Sequence, residues 1–301
     1  MRKPLNIIGH RKIFLSVSSF FVLVSIISII VFGFRTTVDF SGGTMWQIKF
    51  EKPEITVPEL EGFFKAENIS VAVTREASGI FILRLKELTE SDHQRFAALF
   101  KQKLGNFEEL RFDSLSPSIG KELARKSIWA MILTLAAIGI YVAWAFRKVS
   151  YPLKSWKYGA IVLVTLFHDV IIPIGVFSLL GRFLKIDIDP TFIAAILAIM
   201  GFSVNDTIVV FDRIRENLTR LNIKEGFDKI VNQSLNETLA RSLNTNLTVF
   251  LVLLALYFLG PLSLQSFSLA LLVGTVAGSY SSIFIASPLL VEWYNRDKKG
   301  R

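Results

Sequence analysis

Three stretches of this chain carry no charged side chain: residues 13–34 (22 residues), 127–146 (20) and 242–291 (50). About 20 helical residues cross a hydrocarbon core roughly 30 Å thick, so each stretch is long enough to span a bilayer. The last is too long for one helix, and Gly260-Pro261 predicts that it folds back as a hairpin. Composition points the same way. Of 301 residues, 51% are hydrophobic and 20% charged, and the mean hydropathy is +0.48. A water-soluble domain of this size has too little interior to hide so much apolar surface. The chain reads as an integral membrane protein.

Six spans account for the apolar runs: residues 13–34, 127–146, 158–181, 190–211, 243–259 and about 264–291. The first follows Arg2, Lys3, Arg11 and Lys12, but its 22 residues exceed the ~7–15 of a cleavable signal. It is expected to remain as an anchor. Basic residues gather at the N-terminus, after the second span (Arg147, Lys148, Lys154, Lys157), over 212–241 (Arg213, Arg215, Arg220, Lys224, Lys229, Arg241) and at the C-terminus (Arg296, Lys298, Lys299, Arg301). Alternation through six spans places all four groups on one side, which predicts cytoplasmic termini. The same placement makes the net charge of +9 a signal of topology and not of nucleic acid. With no cysteine, histidines only at His10, His93 and His168, and no glycine-rich phosphate loop, neither a metal, a cofactor nor an ATP motor is expected. Nothing in the pattern calls for an enzyme.

The chain thus divides into a tail with the first span (1–34), a polar domain on the outer side (35–126) and spans two to six (127–301). Within the polar domain, alternating residues predict strands at 44–50, 69–75, 80–85 and 108–115. Helical patterns at 58–67 and 91–104 lie between them, the latter with Phe96, Leu99, Phe100 and Leu104 on one face. The order β-α-β-β-α-β is the split plan of an α+β ferredoxin-like domain. Residues 118–126 read as a polar helical lead into the second span. Residues 227–243, apolar at Phe227, Ile230, Val231, Leu235, Leu239 and Leu243, predict an amphipathic helix lying at the cytoplasmic interface, part of the polar segment 212–241.

Asp206 stands inside the fourth span, where an ionised carboxylate costs on the order of 2.5–3.5 kcal/mol. Reversible protonation is one way to live with that cost. Hydrogen bonding as a neutral acid, or reaching the interface about five residues away, are the others. Asp169 lies near the centre of the third span beside His168; neighbours on a helix diverge by about 100°, so the two are not expected to pair. Arg241 borders the fifth span and either snorkels to headgroups or turns inward as a counter-charge. Gly274, Gly278, Ser282 and Ala286 recur every four residues, a spacing that lets helices pack closely. Asp212, Arg213, Arg215 and Glu216 allow ion pairs three residues apart. Asp39, Gly42 and Gly43 mark a tight turn from the first span into a strand.

Taken together, these motifs resemble the SecF branch of the SecD/SecF family of bacterial protein-export membrane proteins, relatives of the proton-driven RND transporters. The matching stretches are Val38-Asp-Phe-Ser-Gly-Gly-Thr44, Pro117-Ser-Ile-Gly-Lys-Glu-Leu123, His168-Asp-Val-Ile-Ile172, Gly201-Phe-Ser-Val-Asn-Asp-Thr-Ile-Val-Val-Phe-Asp-Arg-Ile-Arg-Glu-Asn217 and Leu235-Asn-Glu-Thr-Leu-Ala-Arg-Ser242. Phe202, where a tyrosine is common, and Asn244 are minor departures. The resemblance implies half of an RND-type bundle, completed by SecD, that uses the proton motive force to help draw unfolded polypeptide outward through the SecYEG channel after SecA has driven it in. It implies YajC and YidC as further partners. It places the proton-carrying aspartate on Asp206, its arginine partner on Arg241, and a supporting role on Asp169. Half of a proton-driven exporter of small molecules or lipids, and a scaffold that uses no protons, are the rival readings.

Overall fold

The computed structural model describes residues 4–51, 54–75, 78–147, 153–221 and 226–299, apart from the side chains of Leu221 and Leu262. Of the bases used to orient the spans, Arg2, Lys3, Lys148, Lys224 and Arg301 lie outside these residues. The chain forms two compact units, one of Met1–Arg35 with Trp129–Arg301 and one of Thr36–Ile128.

The smaller unit begins with a single helical turn, α2 (Val38–Ser41), followed by β1 (Gly43–Phe50), α3 (Val57–Ala66), β2 (Val71–Arg75), β3 (Ile80–Leu85), α4 (Glu90–Lys103) and β4 (Phe107–Leu115). The strands form one antiparallel sheet in the order β2-β3-β1-β4, with Trp46 opposite both Leu83 and Phe112. That order is the ferredoxin-like plan. One face of the sheet is apolar because alternate residues point the same way. Trp46, Ile48, Phe81 and Leu83 meet Leu60 and Phe64 of α3 and Phe96 and Phe100 of α4 in a buried core. Both helices start at a threonine whose backbone N–H is capped by an acid three residues on: Thr56 donates to Glu59 at 2.9 Å and Thr89 to Asp92 at 3.4 Å. Gly42 holds φ at 73°, and a Cβ there would lie 2.4 Å from the Cα of Pro117. Only glycine satisfies both the turn and that approach.

Among the described residues, six helices are long and apolar enough to cross a membrane: Ile8–Phe32, Pro117–Ala145, Ser155–Phe183, Pro190–Arg220, Phe227–Leu259 and Gln265–Lys299. They comprise α1 (Arg11–Phe32, after a 3-10 turn), α5 (Pro117–Ala145), α6 (Ser155–Phe183), α7 (Pro190–Leu221), α8 (Phe227–Leu259) and α9 (Gln265–Ser281). After α9 a π turn, Ser282–Ala286, leads into α10 (Ser287–Lys299). Small residues set how close the helices come. A Cβ on Gly274 would lie 2.2 Å from Cδ1 of Ile199, and one on Gly278 would lie 3.0 Å from Cβ of Ser203, so α9 rests directly on α7. Gly175 brings α6 against Ser25 of α1 in the same way.

The amphipathic segment differs from its expected form. It is no separate interfacial helix but the first half of α8, which runs unbroken for 33 residues. The first four positions of its apolar stripe (Phe227, Ile230, Val231, Leu235) are buried within the bundle, whereas Leu243 at the far end is 52% exposed, and the Phe227 ring packs on Tyr294 of α10 at 4.4 Å between centroids. A stripe with helical spacing looks the same whether it faces lipid headgroups or protein. Here protein covers its first part.

Candidate functional site

The bundle holds two buried carboxyls, Asp169 on α6 and Asp206 on α7. The inner face of α7 repeats every three or four residues, through Ser203, Asp206, Thr207, Val210, Phe211, Ile214 and Asn217, all buried. Ser203 and Asp206 therefore face inward within one turn of each other, yet they serve different neighbours.

Asp169 of α6 is fully buried. Its Oδ2 accepts from the hydroxyls of Ser203 on α7 and Ser281 on α9, the latter at 2.7 Å. Its Oδ1 lies 2.8 Å from Nδ1 of His168. The pairing of His168 with Asp169 corrects the expectation drawn from their angular separation: free rotation about two side-chain bonds brings the ring back over the adjacent carboxyl, because both residues face the protein interior. One carboxyl thus joins three helices. Ser281 is the last residue before the π turn, and π turns inside α-helices concentrate at functional positions. The next residue up the same helix, Tyr280, donates its hydroxyl to the Phe14 carbonyl of α1 at 3.0 Å.

Asp206 is 6% exposed, and the structure brings it to Asn246 of α8. The amide Nδ2 donates to Asp206 Oδ2 at 2.5 Å and to the Ser242 carbonyl at 2.9 Å. Oδ1 of Asn246 and the Ser242 hydroxyl are buried without a hydrogen-bond partner among the described residues. This is an unfinished network. A carboxylate can only accept, whereas a carboxylic acid also donates. A protonated Asp206 has an acceptor waiting in Asn246 Oδ1, reached by turning the amide over. The pair therefore has one hydrogen-bonded arrangement for each charge state.

Arg241 does not meet Asp206. It lies five residues before Asn246 on α8, which places it about 140° round the helix. The buried line of that helix passes through Thr238, Ser242 and Asn246, leaving Arg241 exposed. It borders a cavity of about 420 Å³ that Ile208, Val209, Arg213, Glu216 and Glu237 also line. Ile208 and Val209 follow Asp206 and Thr207 on α7, but neither Asp206 nor Asn246 lines this cavity. Its acids are already engaged. Glu237 accepts from Arg213 at 2.5 Å, Asn217 at 2.8 Å and Gln233 at 2.9 Å. Glu216 takes Arg213 at 2.6 Å and Asp212 takes Arg215 at 2.6 Å. Arg241 makes no ion pair among the described residues.

Asp39 accepts from the Thr37 hydroxyl at 2.8 Å and belongs, with Gly42 and Gly43, to the turn into the sheet. No group of three or more metal-ligating side chains occurs among the described residues. Sequence reasoning missed Asn246, Ser203 and Ser281. A signal was available only for Ser203, a polar residue three positions before Asp206 in an apolar run.

Fold and site together define a multi-pass membrane protein with a carboxyl-centred bundle and an α+β domain between its first two spans. Residues 95–296 match the family described as protein export membrane protein SecD/SecF, C-terminal. The protein translocase subunit SecF of Thermobaculum terrenum is 42% identical over 97% of this chain and 95% of its own length. A crystal structure of SecDF from Thermus thermophilus, a translocon-associated membrane protein, superposes with a TM-score of 0.83 at 32% identity, covering 97% of this chain and 39% of that one. SecDF in a super-membrane-facing form superposes at 0.71, also at 32% identity, over all of this chain and 40% of its own. The chain spans well under half of those SecDF chains. It belongs to the SecD/SecF family of protein export membrane proteins.

Proposed function

We propose that this chain is the SecF-type half of a SecD–SecF heterodimer in the bacterial inner membrane, with both termini cytoplasmic and residues 35–126 outside. In this reading the complex uses the proton motive force to assist polypeptide export through SecYEG after SecA-driven insertion, with YajC and YidC as associated partners. Its working group is Asp206. The observation that carries the proposal is the Asp206–Asn246 pair, a buried carboxyl held by a single donor beside an acceptor that has no partner.

Proton uptake changes which way the amide is held and removes a charge from the α7–α8 contact, so the two states favour different helix packings. A proton falling through 100 mV provides about 2.3 kcal/mol. Complete switching between 1:99 and 99:1 takes about 5.5 kcal/mol, so a pH difference or a second proton supplies the remainder. Arg241, a cation on the same helix as Asn246 without an ion pair among the described residues, is the group whose position responds to the charge on that carboxyl. Asp169 supports the machinery by holding α6, α7 and α9 together, and its hydrogen bonds are already complete.

The test is Asp206→Asn in cells or membrane vesicles. It removes a bias worth up to about 40-fold in the conformational equilibrium, so gradient-stimulated export should collapse while the protein accumulates at its normal level. Undiminished gradient dependence assigns the chain to a scaffold role. Drug sensitivity with normal secretion in cells lacking the chain assigns it to small-molecule export.

A further inference from the structure

A groove of about 560 Å³ runs between the start of α1 and the end of α10, well away from Asp206 in sequence and on other helices. Its walls are apolar, from Leu15 on one side and Leu289 and Trp293 on the other, and its rim carries Lys12 and Arg296. Both bases are exposed, and neither makes an ion pair among the described residues. The acids nearby are spoken for. Glu292, in the groove itself, accepts from Arg11 at 2.6 Å, and Asp297 is taken by Lys157. Three bases, Arg11, Lys12 and Arg296, thus act on the single carboxylate of Glu292, which leaves a net positive rim above an apolar slot.

The surroundings say what fits. Trp293 packs edge-on against Trp156 at 5.3 Å between centroids. Paired tryptophans at the end of membrane helices mark the level of the lipid headgroups. From the groove, the face of α1 continues inward through Phe20, Leu23 and Ile27, at spacings of four, three and four residues from Ser16. All three are at least half exposed (60%, 56% and 50%). A phosphate bound at Lys12 and Arg296 thus has an open hydrocarbon path directly beside it. A free phosphate uses only the rim, and a peptide would leave the apolar path uncovered. Basic pockets between membrane helices are a known setting for anionic headgroups.

We infer that this groove is a binding site for an anionic glycerophospholipid, its phosphate held by Lys12 and Arg296 and its acyl chains laid along α1. The site ties the first span to the last, at the end of the bundle where Arg11 already links α1 to α8 and α10. It stands independently of any proton chemistry at Asp206.

Native mass spectrometry of the full chain released from nanodiscs of phosphatidylglycerol or phosphatidylcholine tests it. Wild type is expected to retain phosphatidylglycerol in preference to phosphatidylcholine. The double variant K12Q/R296Q should weaken that retention about 30-fold, since each surface charge counts for about fivefold. K298Q/K299Q, which neutralises two exposed lysines outside the groove, should leave it unchanged. Brominated phosphatidylglycerol should quench Trp293 fluorescence in wild type and not in K12Q/R296Q. Equal retention of the two lipids, or equal losses in the two double variants, overturns the site. Displacement of the lipid by millimolar glycerol phosphate also overturns it, reassigning the groove to a soluble phosphoester. Loss of thermal stability in K12Q/R296Q with lipid retention intact reassigns Lys12 and Arg296 to a purely structural role.

Discussion

Asp169 and Asp206 are two carboxyls in one bundle, both buried, on adjacent helices, and they are finished to different degrees. Asp169 is fully buried and has three partners on three segments of chain. Asp206 is 6% exposed with a single partner, and that partner has an acceptor left over. A carboxyl whose hydrogen bonds are complete has nothing to gain from changing state. One whose surroundings serve either state equally well is free to change. Burial alone does not distinguish a structural acid from a working one; the arrangement of its partners does.

The largest effect that sharpens this contrast belongs to Asp169→Ala. It leaves the Ser203 hydroxyl and the His168 imidazole without their acceptor and Ser281 with only the Gly278 carbonyl, and is expected to destabilise the bundle by on the order of 3 kcal/mol. The reading is a lower thermal midpoint and poor accumulation in the membrane. A stable Asp169→Ala protein that has lost gradient-driven export would exchange the roles of the two acids. Next comes Asn246→Ala. The two hydrogen bonds that the amide donates, to Asp206 and to the Ser242 carbonyl, are lost, so stability should fall by about 2 kcal/mol, while the pH profile of gradient-dependent export is displaced. Ser281→Ala, which removes one of Asp169's donors, should leave that profile in place. A displaced profile in both variants would mean that the two carboxyls titrate as one system.

The smallest effect is a control from the other unit. Asp92, exposed on α4, is held below its ordinary carboxylate value, first by the Thr89 hydroxyl and also by the Thr89 backbone and Arg95. A depressed value in the folded state contributes stability above the unfolded value of 3.8, and that contribution is lost as pH falls through the folded value. Thr89→Ala should cost about 1 kcal/mol in a capping box and flatten this acid dependence, seen by hydrogen exchange of α4 amides. It should leave the pH profile of export untouched. If it does not, the contrast between a structural and a working acid fails in its simplest case.

Much of this molecule was legible before any coordinates. The spans follow from long apolar runs, and the strands of the small domain follow from alternation and turn residues, because both patterns report burial directly. The limits lie where one pattern serves two environments. Phe227, Ile230, Val231 and Leu235 have the same spacing at a lipid interface and inside a bundle, and only the presence of α10 and α7 decides between them. Asp206 stood out as a charge in an apolar run. Asn246 did not, since a neutral amide in a span carries little penalty and its significance lies in which carboxyl it reaches across the helix contact. The resemblance pointed to Arg241 as the partner of Asp206, yet helix rotation puts Asn246 on the inner line and Arg241 on the flank. The π turn after Ser281 depends on hydrogen-bond register, which side-chain patterns do not encode.

The central claim is that Asp206 gains and loses a proton as the membrane gradient changes. Infrared difference spectroscopy on the reconstituted protein, with Asp206→Asn to identify the carboxyl band, measures this directly. The account predicts a protonated-carboxyl signal that appears and disappears as a proton gradient is imposed and collapsed, and that is missing from the variant. A band that stays constant across every imposed gradient, while export still responds to the gradient, would contradict it.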